Sequence, residues 1–298
     1  MVLDGALATE LERRGADLSD DLWSAKCLIE RPDLIREVHL DYFRAGADVA
    51  TTATYQATFE ALARRGIPRR RAAQLMQSAV TLAVEARDAM CATAHKNGGG
   101  LRPLVAASIG PYGAMLADGS EYRGHYAVDD AALADFHRPR LQVLADAGAD
   151  LLAFETIPSL REAKVLAALL QALPTQCAWV SFSCKDGAHN CEGEEIGACV
   201  AELRDYPQIV AVGVNCTAPQ YIPSLLRHMR GATDKPLLVY PNSGESYDPS
   251  SKRWSGDSAA MRFGEQARLW HAEGARLIGG CCRTGPDDIR GVKRCVHS

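Results

Sequence analysis

The sequence has no apolar run approaching the roughly 20 residues that span a bilayer as a helix, so a membrane protein is not expected. It has no basic surplus: 33 Lys and Arg stand against 37 Asp and Glu, a net charge of −4. Nor does it have a Lys/Arg-rich tract interleaved with aromatics, so nucleic acid is not an expected partner. The opening MVLDGALATELERR interrupts its apolar residues with Asp4 and Glu10, which does not fit a secretory leader. No G-x-G-x-x-G follows any apolar run, and no H-E-x-x-H occurs, so neither a dinucleotide site nor a zinc hydrolase is marked. No linker long enough to divide the chain is present, and residues 1–298 are expected to form one domain. With 47% hydrophobic and 23% charged residues, a chain of this length can bury its own core without staples.

Cysteine is not lacking. There are ten, and without a leader the expectation is reduced thiols in the cytoplasm. Cys27, Cys91, Cys177, Cys199 and Cys295 read as small buried hydrophobes. Cys184 and Cys191 fall near a strand end and in a polar loop, and Cys216, Cys281 and Cys282 stand apart.

Eight short apolar or β-branched runs recur: Val2-Leu3, Asp48 to Thr54, Pro103 to Ile109, Asp150 to Thr156, Ala178 to Cys184, Ile209 to Cys216, Pro236 to Tyr240 and Arg276 to Cys281. They are near-continuous rather than alternating, as in parallel strands covered by helices. Helical periods separate them. Pro32 to Ala45 places Leu34, Ile35, Val38, Tyr42 and Ala45 on one face and stops at Gly46. Arg69 to Thr93 is a long helix ended by the glycines at 98–100, and Asp129 to Ala147 ends at Gly148. Ser159 with Glu162 reads as a capping box. AGAD at 45–48, its repeat at 147–150 and EGAR at 273–276 each join a helix end to a strand. Eight strands alternating with helices predict a single α/β (β/α)8 TIM barrel; a doubly wound open sheet is the runner-up. Long polar segments at 110–126 and 242–258 follow the third and seventh strands, on the face where barrels place their pockets.

Cys216 and the pair Cys281-Cys282 end the sixth and eighth predicted strands. Barrel strand ends converge on one mouth, so these thiols can meet across 65 positions. Gly279-Gly280 give the chain freedom to present a vicinal pair. Three thiolates without an obvious fourth protein ligand point to Zn2+ with one open position; buried strand cysteines are the plainer alternative. Three thiolates make zinc a poor activator of water but suit a bound substrate thiolate. The implied chemistry is thiolate attack on an electrophilic carbon, methyl transfer being the simplest case.

VLDGALATELERRG, LWSAK, IREVHLDYFRAGADVATTATYQAT, GPYGAMLADGSEYRG, FHRPR, ADLLAFET, GVNC, YPNSGE and ARLIGGCCRTGP together resemble the homocysteine S-methyltransferase family, from residue 2 to about residue 290. SEYRG and YPNSGE are most similar to the branch that uses S-methylmethionine. The resemblance implies a (β/α)8 barrel, zinc and methionine as product. It makes Cys216, Cys281 and Cys282 the zinc ligands and places Asp4, Gly5, Thr52 and Glu155 against homocysteine. Asn215 and Ser243 become polar contacts. A sulfonium donor would favour aromatic faces, with Tyr55, Tyr112, Tyr122, Tyr240 and Trp254 as candidates. Betaine as donor, selenocysteine as acceptor, or a non-catalytic zinc or thiol sensor are the rival readings. The chain starts almost on its first strand and ends soon after its last helix, so a monomer or weak homodimer is expected.

Overall fold

A computed structural model describes residues 1–18, 24–94, 101–244, 246–248, 253–255 and 262–296. Seven parallel strands run in the order β1 (Val49–Thr51), β2 (Leu104–Ile109), β3 (Leu151–Ile157), β4 (Ala178–Phe182), β5 (Ile209–Asn215), β6 (Leu237–Tyr240) and β9 (Ala275–Ile278). The two free edges meet through Val2 and Leu3. Val2 bridges Ile278 and Leu3 bridges Val49, both in parallel. Leu3 N–H donates to the Ile278 carbonyl at 2.8 Å and Asp4 N–H to the Val49 carbonyl at 3.0 Å. This eighth stave closes a (β/α)8 barrel, as expected from the sequence. It is shorter than its neighbours, with one bridge on each side.

Helices alternate with the strands and cover the outside. The described ones are α1 (Leu7–Arg13), α2 (Ser24–Glu30), α3 (Pro32–Ala45), α4 (Phe59–Arg64), α5 (Arg69–Ala94), α6 (Tyr112–Leu116), α7 (Asp130–Ala145), α8 (Leu160–Leu170), α9 (Ile196–Glu202), α10 (Ile222–Arg230), α11 (Phe263–Ala272) and α12 (Pro286–Val296). No described helix is long and apolar enough to cross a membrane. The α3 boundaries match the sequence reading, and Gly46 ends the helix in the left-handed region at φ 104°. Gly148 and Gly274 do the same before β3 and β9, at φ 86° and 115°. In the AGAD repeats the aspartate then ties the neighbouring stave: Asp48 Oδ2 accepts from Val2 N at 2.7 Å, and Asp150 Oδ2 from Val105 N at 2.7 Å. The glycines at 98–100 lie outside the described residues.

Ser159 caps α8, accepting from Glu162 N at 3.3 Å. The reciprocal half of the capping box is not made. Glu162 Oε1 instead accepts from Tyr112 N at 2.6 Å and lies 2.8 Å from His137 Nε2. Arg140, in the FHRPR segment of α7, donates to the carbonyls of Tyr55 at 3.3 Å and Gly110 at 2.5 Å. These three buried side chains fasten the loops after β1 and β2 to the helices behind them.

Two apolar cores result. The larger lies between strands and helices. The smaller fills the barrel with Leu3, Val49, Ala106, Leu151, Ala153, Trp179, Ala211, Leu238 and Tyr240. Both faces of the strands are therefore buried, which is why β3 is covered at every residue. The 110–126 segment folds into α6 (Tyr112–Leu116) and a 3-10 turn (Ser120–Tyr122), structure that its polar sequence did not announce. Of the 242–258 segment, β7 (Ser246–Asp248) and β8 (Arg253–Ser255) pair as an antiparallel hairpin. The side chain of Trp254 lies outside the described residues.

Candidate active site

Cys216 follows β5 and has φ 46°, a left-handed backbone that turns its side chain out of the strand direction. Cys281 and Cys282 follow β9. Gly280 N–H donates to the Asp4 carbonyl at 3.0 Å, Cys281 N–H to the Pro241 carbonyl at 2.7 Å, and Ser243 N–H to the Cys282 carbonyl at 3.1 Å. The vicinal pair is thus pinned between the first stave and β6. Gly279 and Gly280 serve by close approach and not by positive φ. A methyl group on Gly279 would come within 2.6 Å of Leu3 Cβ, and one on Gly280 within 2.3 Å of Thr284 Oγ1.

The three sulfurs converge, with all ligand atoms within 4.8 Å of one another. Cys216 Sγ lies 3.7 Å from Cys282 Sγ, and Cys281 Sγ lies 4.0 Å from Cys282 Sγ. Both spacings suit sulfurs sharing a tetrahedral zinc at about 2.3 Å, whose edge is about 3.8 Å. The Cys216–Cys281 separation, 2.6 Å, exceeds a disulfide bond of about 2.05 Å and must widen to admit an ion. Among the described residues this is the one group of three or more His, Cys, Asp or Glu arranged to hold a metal. Cys216 is the first thiol to ionise. Hydrogen bonds from Cys281, Cys282 and the Tyr122 hydroxyl, 3.6 Å away, favour its thiolate against the cost of burial. Its hydrogen bonds and charge then push the Cys281 and Cys282 thiols up, so a cation is needed for all three to be thiolates. The donor set therefore fits a soft, positively charged ion.

Two carboxylates lie in the same mouth. Asp4, 4% exposed, accepts from Thr51 N at 2.8 Å and Thr51 Oγ1 at 3.2 Å. Burial raises its pKa to about 8. Glu155 accepts from Ser108 Oγ and from Tyr240 Oη at 3.1 Å, and burial raises it to about 7. Among the described residues neither has a cationic partner within ion-pair distance. The β3 register shifts between Phe154 and Ile157, and Thr156 has φ 59°. Such a bulge re-aims a side chain.

Asn215 holds that bulge. Its Oδ1 accepts from Thr156 N at 2.7 Å and its Nδ2 donates to Thr156 Oγ1 at 2.8 Å. Thr52 Oγ1 is engaged with Thr54 Oγ1 at 2.7 Å and accepts from Ser108 N at 3.1 Å, so Thr51 and not Thr52 holds Asp4. Gly5 leaves room for Tyr42 and Thr284: a methyl there would meet Tyr42 Oη at 2.9 Å. Of the aromatic candidates, Tyr240 is committed inside the barrel to Trp179, Ser181 and Glu155. Tyr112 packs against Tyr126 and Phe136. Tyr122 touches Cys216, and Tyr55 is half-buried in the electrostatic range of Cys216 and Glu155. Thr51, Ser108 and Glu121 were not singled out from the sequence.

The family model described as homocysteine S-methyltransferase matches residues 1–296. A relative from Bacillus subtilis (strain 168), homocysteine S-methyltransferase YbgG, is 53% identical over all of this chain and 95% of its own. The homocysteine S-methyltransferase of Escherichia coli (strain K12) is 52% identical over 98% of this chain and 94% of its own. The crystal structure of the metallated form of the homocysteine methyltransferase MmuM from Escherichia coli superposes with a TM-score of 0.88 at 48% identity, over 99% of this chain and 95% of that one. The thiol cluster, the barrel around it and these likenesses agree, and the chain belongs to the homocysteine S-methyltransferase family of methyltransferase enzymes.

Proposed function

We propose that the protein transfers a methyl group from S-methylmethionine to homocysteine with zinc held by Cys216, Cys281 and Cys282. The observation that carries this reading is the convergence of those three sulfurs at the mouth of a barrel of this family. The metallated form of the related Escherichia coli enzyme supports a metal. Zinc in a three-thiolate site would hold the acceptor sulfur deprotonated near neutral pH and leave it nucleophilic.

The chain's own residues do the rest. Asp4 and Glu155 are buried carboxylates awaiting a cation, and the α-ammonium of homocysteine is the cation this reading assigns to them. Gly5, packed against Tyr42 and Thr284, would meet the amino acid through its backbone beside Asp4. Thr52 and Asn215 act from behind, through Ser108 and Thr156. The barrel wall orients acceptor and donor and keeps water away. The acceptor thiol gives its proton to solvent, and a sulfur electron pair forms the new S–CH3 bond. The old bond between methyl and sulfonium breaks, and its pair returns to the donor sulfur. A positive sulfonium becomes a neutral thioether, so no general acid is required, and both products are methionine. None of the ten cysteines is in a disulfide, which suits a reducing cytoplasm. Residues 1–298 act as one barrel domain in this reading, a monomer or weak homodimer without nucleic acid or membrane partners. Selenocysteine is the second acceptor to test, because a relative named selenocysteine Se-methyltransferase, from Brassica oleracea var. italica, is 47% identical over 99% of this chain.

The test is methionine formation from homocysteine with S-methylmethionine, S-adenosylmethionine or betaine, with and without a zinc chelator. Chelator-sensitive turnover, fastest with S-methylmethionine, is expected. Cys282→Ala is expected to lose bound zinc and activity together. Turnover with betaine alone overturns the donor, and full activity in a folded, metal-free Cys282→Ala overturns the zinc.

A further inference from the structure

Glu121 is a half-buried carboxylate with no ion pair among the described residues. It sits in the 3-10 turn Ser120–Tyr122, whose backbone is fixed on two sides. Ser183 Oγ donates to the Glu121 carbonyl at 3.1 Å, and a methyl on Gly113 would come within 2.5 Å of Glu121 N. The side chain is therefore rooted in rigid backbone. Its Oε2 is buried and accepts no hydrogen bond. Among the described residues the other such carboxylate oxygen is Glu162 Oε2, but Glu162 has His137 at 2.8 Å and feels the Arg140 charge. Glu121 feels the Arg123 charge but has no hydrogen-bonded or ion-paired side chain among the described residues. The nearby cation, Arg123, is turned to the Asp118 carbonyl at 3.1 Å, Ser120 Oγ at 3.3 Å and the Asp118 carboxylate at 3.6 Å.

The surroundings say which cation is missing. The next residue, Tyr122, reaches Cys216 Sγ, and Glu121 itself feels the Cys216 charge. Tyr55 lies in the electrostatic range of both. A carboxylate, two tyrosine rings and a thiol cluster thus share one region. A sulfonium ion is weakly hydrated, and both aromatic faces and a carboxylate attract it. Burial pushes the Glu121 carboxyl up to about 7. A cation arriving beside it recovers that cost.

We infer that Glu121 is the counter-charge for the sulfonium pole of the methyl donor and sets the preference for a cationic donor. This rests on the sulfonium-donor reading above. The test compares wild type with Glu121→Gln and Glu121→Asp, all zinc-loaded. Expected for Glu121→Gln is a KM for S-methylmethionine raised at least tenfold, with the KM for homocysteine and the zinc content unmoved. Glu121→Asp is expected to fall between the two. The neutral carbon analogue of the donor, 2-amino-5-methylhexanoate, is expected to inhibit wild type weakly and Glu121→Gln about equally. An unmoved donor KM in Glu121→Gln, beside active wild type, overturns this assignment alone. Parallel loss of homocysteine affinity or zinc also overturns it, in favour of a structural role. Wild type that makes no methionine from either sulfonium donor removes the reaction and the assignment together.

Discussion

Asp4 shows what the site costs the fold. Its carboxyl is raised from an ordinary value near 3.8 to about 8 by burial. Between those values the folded chain binds a proton that the unfolded chain releases. The stability from this group is complete below pH 4 and is lost as pH rises through 8. Asp4→Asn keeps an acceptor for Thr51 N but carries no charge. Its thermal midpoint is expected to exceed that of the ligand-free wild type by several degrees at pH 8, and the gain should vanish near pH 4. Homocysteine affinity is expected to fall at least tenfold, so stability and function move in opposite directions. Scanning calorimetry at the two pH values, with a homocysteine titration, checks both.

Single residues also mark the limit of reading the sequence. The three cysteines were legible because strand ends in a barrel converge. Which of Thr51 and Thr52 holds Asp4 was not, because a strand buried on both faces has no polar alternation to set its register. The bulge at Thr156 and the left-handed Cys216 were equally hidden. Both come from contacts across the barrel, such as Asn215 to Thr156, which local sequence does not encode.

At the scale of elements, α3 was readable end to end from its apolar stripe and terminal glycine. The same helix holds a residue that its pattern did not explain. His39 is fully buried, and neither ring nitrogen has a partner. Burial lowers its pKa to about 4. As pH falls from 6.5 to 4 the unfolded chain takes up a proton that the folded chain refuses, which costs up to about 3 kcal/mol. His39→Leu removes that penalty and leaves no hydrogen bond broken. The urea midpoint of the variant is expected to exceed that of wild type, with the gap widening from pH 7 to pH 4.5. A gap independent of pH would mean that His39 takes up its proton as readily in the fold as in the unfolded chain. The loops were less legible than the helices, because α6 and the Ser120–Tyr122 turn are shaped by the barrel mouth and by Glu162, Arg140 and Ser183.

Across the whole molecule the AGAD repeats act as ties between neighbouring staves. Asp48 joins Val2 N to the half-buried Lys293, whose Nζ lies at 2.9 Å. Asp150 joins Val105 N to Arg87, also at 2.9 Å, and the Arg87 side chain is only 3% exposed. Asp150→Ala leaves the buried Arg87 guanidinium to Asp88 alone, at 2.9 Å, and is expected to cost about 2–3 kcal/mol. Asp48→Ala is expected to cost about 1–2 kcal/mol. Urea denaturation ranks the two, and faster amide exchange at Leu3 and Val49 in Asp48→Ala would locate the loosened seam.

The same seam sets an order of events. Val2 and Leu3 are made before every other strand of the barrel, and their partner Ile278 after the rest. Until Ile278 has left the ribosome, the growing chain can line up its staves but cannot complete the ring. Until then it carries bare strand edges, the surfaces most open to pairing with another chain. The thiol cluster waits on the same step, because Cys281 and Cys282 lie just beyond the last strand. A metal held by the three thiols could be gathered only after the last strand is made, and the cluster is framed only when Val2 and Leu3 find Ile278 and Val49.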